Sequence, residues 1–229
     1  MKLSILIPAF NEKTTILELL AKVEAVDLSS LGVEKEIVII DDFSTDGTRE
    51  MIKDYPGEAV KIFHDKNYGK GHAIRSGIAQ MTGDIAIIQD ADLEYDPNDY
   101  YKLVKPIIDG EAAVVYGSRY LNKNQKGGAF YYFGGRMLSV MANLLYGLKI
   151  TDEPTCYKVF KADLLKSIDL KCEKFEFCPE VTAKVARQGH KILEVPINYY
   201  PRSVDEGKKI KLHDGLEAIW VLIKYRFIK

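Results

Sequence analysis

Ile85-Ala86-Ile87-Ile88-Gln89-Asp90-Ala91-Asp92-Leu93-Glu94 runs four apolar residues, three of them β-branched, straight into three carboxylates at alternate positions. The apolar run has the length of a buried strand, and the acidic half reads as its exit loop. Comparable runs stand at Leu3–Ile7, Ile37–Ile40, Val60–Phe63 and Ala113–Tyr116. Between them Ile16, Leu19, Leu20 and Val23 recur at helical spacing, and Asp96-Pro97-Asn98-Asp99 puts Asp at a helix cap with Pro in the first turn. Strands alternating with helices predict an α/β fold with a mainly parallel central sheet flanked by helices.

Beyond Ser118 the pattern changes. A Gly-rich aromatic segment, Gly127 to Gly135, precedes an apolar helix through Leu148. A helix from Pro179 to Gln188 stopped by Gly189, a strand over Ile192–Val195 and a final helix from Leu212 follow. With no low-complexity linker and no internal repeat, residues 1–229 read as one domain.

Ligands of open α/β sheets bind beyond the carboxyl ends of the strands. Those ends are Pro8-Ala9-Phe10-Asn11-Glu12, Asp41-Asp42-Phe43-Ser44-Thr45-Asp46-Gly47 and Gln89-Asp90-Ala91-Asp92-Leu93-Glu94, so three acidic clusters are expected at one crevice. Carboxylates gathered this way need a cation or hydrogen-bond donors, and Mg²⁺ or Mn²⁺ prefers carboxylate and phosphate oxygens. An extended Asp90-Ala91-Asp92 directs both carboxylates to one side, leaving room for diphosphate oxygens on the metal. A lone Asp-x-Asp is weak evidence; its place after a strand, beside two other acidic strand ends, strengthens it. Asp46-Gly47 reads as turn chemistry, whereas Asp41 reads as functional.

Composition narrows the classes. Lys+Arg of 32 against Asp+Glu of 33 leaves a net charge of −1, without the basic field that drives nonspecific nucleic-acid binding. Cys156, Cys172 and Cys178 fit neither a zinc site nor a redox pair and read as reduced thiols of a cytoplasmic protein. The four histidines lack metal-site spacing and receive no catalytic role. No apolar stretch has the length of a signal peptide or spanning helix, so any membrane contact is expected to be peripheral.

Five motifs occur together: Ser4–Glu12, the Ile37–Thr48 run, Lys66-Asn67-Tyr68-Gly69-Lys70-Gly71, Asp90-Ala91-Asp92 and Gly117-Ser118-Arg119. In this order they resemble the family 2 inverting glycosyltransferases, and among these the dolichyl-phosphate mannose synthase branch with its polyprenyl-phosphate sugar transferase relatives. The resemblance is strong over about the first 120 residues and continues less specifically to Arg202–Asp214. It implies a GT-A fold, with residues 1–120 as the nucleotide-sugar-binding half and 121–229 as an acceptor-binding half with amphipathic helices. It further implies a nucleotide-diphosphate sugar donor of GDP-mannose or UDP-glucose type, Mg²⁺ or Mn²⁺ as cofactor, and a polyprenyl or dolichyl phosphate acceptor at the cytoplasmic membrane face, with room for a separate membrane partner. Residue by residue, it implies Pro8, Ala9, Glu12 and Asp41 around the nucleoside, and Lys70 near the base, ribose or phosphates. Asp90 and Asp92 are then catalytic metal-site residues, Glu94 joins the metal site at a position where relatives often place Gln, and Arg119 meets donor or acceptor phosphate.

Polysaccharide-elongating members carry a downstream acidic pair for the base and a Gln-x-x-Arg-Trp signature; here the signature is missing and the comparable region is Thr151-Asp152-Glu153-Pro154-Thr155. A sugar hydroxyl benefits from a general base. A phosphate monoester, with a second pKa near ~6, is already ionised at neutral pH. The sequence therefore favours a phosphate acceptor, served by Arg202, Lys208 and Lys209 around Gly207. Three other readings stand beside it: transfer to a sugar hydroxyl of a glycan or glycolipid, a non-catalytic nucleotide-sugar-binding module, and a sugar nucleotidyltransferase, which ranks low because the loop after the first strand is not Gly- and Arg-rich.

Phe133, Met137, Met141, Leu144 and Leu148 form one helical stripe after Phe130, Tyr131 and Tyr132, and read equally as core or bilayer interface. Leu212, Leu216, Ile219, Trp220, Ile223 and Phe227 form another, near Lys224, Arg226 and Lys229, and read as core-facing.

Overall fold

The structure, a computed structural model, describes residues 1–122, 129–202 and 212–228. Seven strands form its sheet: β1 Lys2–Ala9, β2 Glu34–Asp41, β3 Val60–Phe63, β4 Ile85–Ile88, β5 Val114–Ser118, β6 Lys158–Lys161 and β7 Ile192–Pro196, in the order β3-β2-β1-β4-β6-β5-β7. β6 pairs antiparallel with both β4 and β5, while every other pairing is parallel, so the mainly parallel sheet read from the sequence is present.

The helices are α1 Ile16–Ala25, α2 Thr48–Asp54, α3 Lys70–Gln80, α4 Tyr100–Ile108, α5 Ala129–Tyr146, α6 Ala162–Ser167, α7 Phe177–Arg187 and α8 Leu212–Phe227. Leu3, Ile5, Leu6 and Ile7 of β1 and all of β4 are fully buried, as expected of strands covered on both faces. The register sets Ala9 beside Asp41 and Leu6 beside both Val38 and Ile88, so β1, β2 and β4 end close to one level. β2 and β3 lie on one side of β1 and β4 on the other. The chain thus reverses direction across the sheet at β1, and the crevice this opens is where such sheets bind ligands.

Three local differences from the sequence reading have physical causes. Asp96 does cap a turn, accepting from the Asn98 N–H, but Pro97–Asp99 is a 3₁₀ turn leading into α4 rather than its first turn. β6 was not foreseen: it is four residues long and begins with Lys158, which is fully buried. Its ammonium lies 3.9 Å from the Tyr116 ring centroid and donates to the Glu153 carbonyl, so the strand hides a cation that reads as surface.

The third difference is α8, whose apolar stripe is only partly covered, with Ile219 packed into a small cluster shared with α5. It packs on α5 and α7 through Ala218, Val221 and Leu222, and leaves Leu216, Trp220 (61%) and Phe227 (77%) exposed. α5 meets it through Leu138 and Ala142, with Phe133 (76%), Met137, Val140 and Leu144 (81%) facing outward. The contact between the helices mixes leucines with alanines, Leu138 and Leu222 with Ala142 and Ala218. The side chains of Phe130, Tyr131 and Leu212, and all of Lys208, Lys209 and Lys229, lie outside the described residues. Among the described residues no helix is long and apolar enough to cross a membrane.

Candidate active site

The loops after β1, β2 and β4 are stitched together by short polar contacts. The Asn11 N–H donates to Ser44 Oγ, the Thr45 N–H to Asn11 Oδ1, and the Glu12 N–H to Thr48 Oγ1 at 2.9 Å. Thr15 Oγ1 donates to the Ala91 carbonyl at 2.7 Å and reaches Glu12 Oε2 at 3.0 Å, joining the start of α1 to the Asp-Ala-Asp loop. Asn11, Phe43 and Leu93 have φ of 52°, 66° and 63°. The described non-glycine residues in the left-handed region are therefore one per loop at this crevice, where backbone strain collects at functional sites.

The acidic residues sort onto three cations rather than converging on one point. Asp41 is fully buried: Arg49 Nε, from the first turn of α2, donates to Asp41 Oδ2 at 2.6 Å and the Ser44 N–H to Oδ1 at 3.2 Å. Asp90 Oδ1 pairs with Lys70 Nζ at 2.5 Å, placing the first residue of α3 against the end of β4. Arg202 bridges the rest, with Nη1 3.1 Å from Glu12 Oε2 and Nη2 3.0 Å from Asp92 Oδ2. Burial first, then the charges of Asp90 and Glu94, pushes the Asp92 carboxyl up to about 7 against the pull of Arg202. Pro8 and Ala9 close β1 beside Ile40 and Asp41, at the floor of the crevice.

Glu94 ties down the segment that carries Arg202. Oε2 accepts from the Tyr199 hydroxyl at 2.8 Å, Oε1 from the Arg202 N–H at 2.8 Å, and the Glu94 carbonyl from the Tyr200 N–H. Among the described residues no three of His, Cys, Asp and Glu are already grouped as a metal cage.

Arg119, at the end of β5, is gripped by Asp152. Its backbone N–H, Nε and Nη2 donate to that carboxylate at 2.9, 2.8 and 2.8 Å, and Asp152 is fully buried. The guanidinium also lies 5.0 Å from the Tyr199 ring and 5.9 Å from the Tyr120 ring. Arg136 of α5 approaches Tyr120 at 5.3 Å and donates to the Thr151 carbonyl. Gly135 makes that approach feasible, since a Cβ there would fall 2.3 Å from the Tyr120 hydroxyl. Two arginines and two tyrosines thus line the side of the crevice opposite Asp41.

Sequence reasoning missed Arg49, Arg136 and His64. His64 Nδ1 is 2.7 Å from Asp42 Oδ1 and Nε2 3.0 Å from Ser76 Oγ, while Asp42 also accepts the Tyr68 and Gly69 N–H groups. These contacts hold the loop that delivers Lys70. No spacing rule announces them, because they join residues 22 apart through an edge strand.

The model of glycosyl transferase family 2 matches residues 4–169, and the chain belongs to that family. Among curated relatives it is 27% identical over 212 residues to the undecaprenyl-phosphate 4-deoxy-4-formamido-L-arabinose transferase of Enterobacter sp. (strain 638), covering 90% of this chain and 62% of that protein. The protein of that name from Pseudomonas fluorescens (strain SBW25) is 28% identical over 194 residues, covering 83% of this chain and 55% of its own. The chain therefore spans 62% and 55% of the length of these two relatives.

In fold it is similar to glucosyl-3-phosphoglycerate synthase from Mycobacterium tuberculosis in complex with UDP, at a TM-score of 0.74 and 19% identity, over 100% of this chain and 81% of that one. The same synthase with Mn²⁺, UDP and phosphoglyceric acid gives 0.71 and 21%, over 100% and 79%. The fold is GT-A-like, as the motifs implied.

Proposed function

We propose that the chain transfers a hexose, with inversion, from a nucleotide-diphosphate sugar of GDP-mannose or UDP-glucose type to a polyprenyl or dolichyl phosphate. The observation that carries this reading is the Arg119–Asp152 pair. In the region where other family members place a general base, Asp152 is fully buried and engaged by Arg119. Its neighbour Glu153 is also fully buried, accepting from Thr182 Oγ1. Neither carboxylate is placed to take a proton from a sugar hydroxyl, whereas Arg119 and Arg136 offer guanidinium groups suited to an anionic acceptor. A phosphate oxygen attacks without prior deprotonation, and the site's task becomes holding it in line with the anomeric carbon.

On the donor side, Pro8, Ala9 and Glu12 frame the nucleoside with Arg49, which the buried Asp41 holds in place, and Lys70 and Arg202 meet the diphosphate. Asp90 and Asp92 supply hard oxygen donors with room for phosphate oxygens, a set that suits Mg²⁺ or Mn²⁺. Burial and the neighbouring carboxylates raise the pKa of Asp92, and a bound divalent ion would favour its ionised form. When bound, the ion neutralises charge on the departing diphosphate. The undecaprenyl-phosphate relatives support the lipid acceptor by their names. The exposed Phe133, Leu144, Trp220 and Phe227, with Arg226 exposed beside them, support peripheral docking at a bilayer surface.

Two outcomes are expected. The product carries the anomeric configuration opposite to the donor, read by NMR; retention would contradict a single direct displacement. Mn²⁺ affinity rises about tenfold per pH unit below pH 7 and levels off above it, because Asp92 must lose its proton to bind. Calorimetric titrations at pH 6 and 8 giving equal affinities would contradict the Asp92 assignment.

A further inference from the structure

The guanidinium of Arg202 sits where a cation bound to Asp92 would sit, and this has consequences for how the donor site fills. Glu12, Asp92 and Glu94 present three carboxylates to it, at 3.1 Å, 3.0 Å and 3.9 Å. Asp90, the remaining acidic group of the cluster, is paired with Lys70 instead.

Two observations indicate that this pairing is one of two arrangements open to the side chain. Arg202 Nε is buried with no hydrogen-bond acceptor within reach among the described residues, so the fork is not saturated by the carboxylates it holds. The backbone, by contrast, is pinned independently of the side chain. The Arg202 N–H and the Tyr199 hydroxyl are both held by the Glu94 carboxylate, and the Tyr200 N–H by the Glu94 carbonyl. The guanidinium can therefore change partners by side-chain rotation alone while its Cα stays beside the crevice. A guanidinium also matches diphosphate oxygens at least as well as carboxylates, offering parallel donors to either.

We propose that Arg202 is an exchangeable counter-ion of the donor site: it neutralises Glu12 and Asp92 in the free protein, yields Asp92 to a divalent cation, and moves its donors to the diphosphate. This rests on the donor-site reading above and adds an order to it. Metal alone must compete with a tethered cation for Asp92, whereas metal arriving with a nucleoside diphosphate brings the anion that receives the displaced guanidinium. Free metal is then bound weakly and the metal–nucleotide pair strongly.

The test measures Mn²⁺ binding to nucleotide-free protein, by the loss of the free-ion EPR signal, for wild type, Arg202→Gln, Arg202→Lys and Asp92→Asn. It is then repeated with GDP or UDP present. The expected result is that Arg202→Gln binds Mn²⁺ alone roughly tenfold more tightly than wild type, and the Mn²⁺–nucleotide pair roughly tenfold more weakly. Arg202→Lys, which keeps the charge but cannot bridge two carboxylates, shifts both the same way by about threefold. It carries the comparison if Arg202→Gln does not fold. Asp92→Asn removes the site in either condition. Equal or weaker binding of Mn²⁺ alone by both Arg202 variants, with the wild-type site still lost in Asp92→Asn, would overturn the exchange and leave the donor site standing. No Asp92-dependent Mn²⁺ binding even with nucleotide would overturn the donor-site reading, and the exchange with it.

Discussion

Asp92→Asn is expected to lower sugar transfer on the order of a thousandfold or more, with the fold intact, because it removes a charged oxygen donor from the place where diphosphate charge is neutralised. The fold should survive for a reason specific to this residue. Its carboxyl titrates at about 7 in the folded protein against an ordinary 3.8. Its contribution to stability is therefore fully present below about pH 4 and is lost as the pH rises through about 7. Asparagine carries no charge to lose, so at pH 8 the metal-free variant should melt no lower than wild type. Turnover at the wild-type rate, or full wild-type turnover in chelator, would contradict the assignment.

Asp152→Ala is expected to cost about 3–5 kcal/mol of stability, the effect of leaving a buried charge without its partner. Arg119 donates three times to this carboxylate, and neither side chain has much access to water that could replace it. Denaturant unfolding should show the midpoint falling at unchanged slope. Replacing both partners with apolar residues of similar volume, Arg119→Met with Asp152→Leu, should recover most of the loss while abolishing transfer. A loss below about 1 kcal/mol for Asp152→Ala would mean the pair is not the buried, mutually dependent unit described here.

The first half of the molecule was legible because each strand there announces itself twice, by a β-branched run and by the acidic or glycine-containing loop at its end. β1, β2, β3 and β4 stand where Leu3–Ile7, Ile37–Ile40, Val60–Phe63 and Ile85–Ile88 placed them. Past Ser118 the signals separate from the structure. β6 is short and carries a buried lysine satisfied by an aromatic face and a carbonyl, neither of which lies in a readable pattern around it. α8 has an apolar stripe that periodicity correctly finds, but periodicity says nothing of which partner the stripe meets. Here α5 and α7 take up Ala218, Val221 and Leu222, and Trp220 and Phe227 remain outside.

At the site, the sequence located the acidic strand ends but not their partners. Asp41 was expected in the open crevice and is buried behind Arg49, whose position depends on the turn at Gly47 that starts α2. Arg202 was expected near phosphate. Its grip on Glu12 and Asp92 follows from Glu94 folding the Tyr199–Arg202 segment back across the crevice, a contact spanning more than a hundred residues. Asp152 follows the same rule: the arginine that fixes it lies 33 residues earlier, just past β5, where no local pattern joins the two.

The central claim, that the arginine-lined pocket beside Arg119 takes a lipid phosphate as acceptor, is tested by one measurement. The protein is incubated in detergent with Mn²⁺ and labelled GDP-mannose or UDP-glucose, in parallel with phytanyl or polyprenyl phosphate and with soluble sugars. Label is then counted in the organic and aqueous phases. The account predicts label in the lipid phosphate, sharply reduced by Arg119→Ala and Arg136→Ala, and no more than slow donor hydrolysis with the soluble sugars. Transfer to a sugar hydroxyl with none to the lipid phosphate would contradict it.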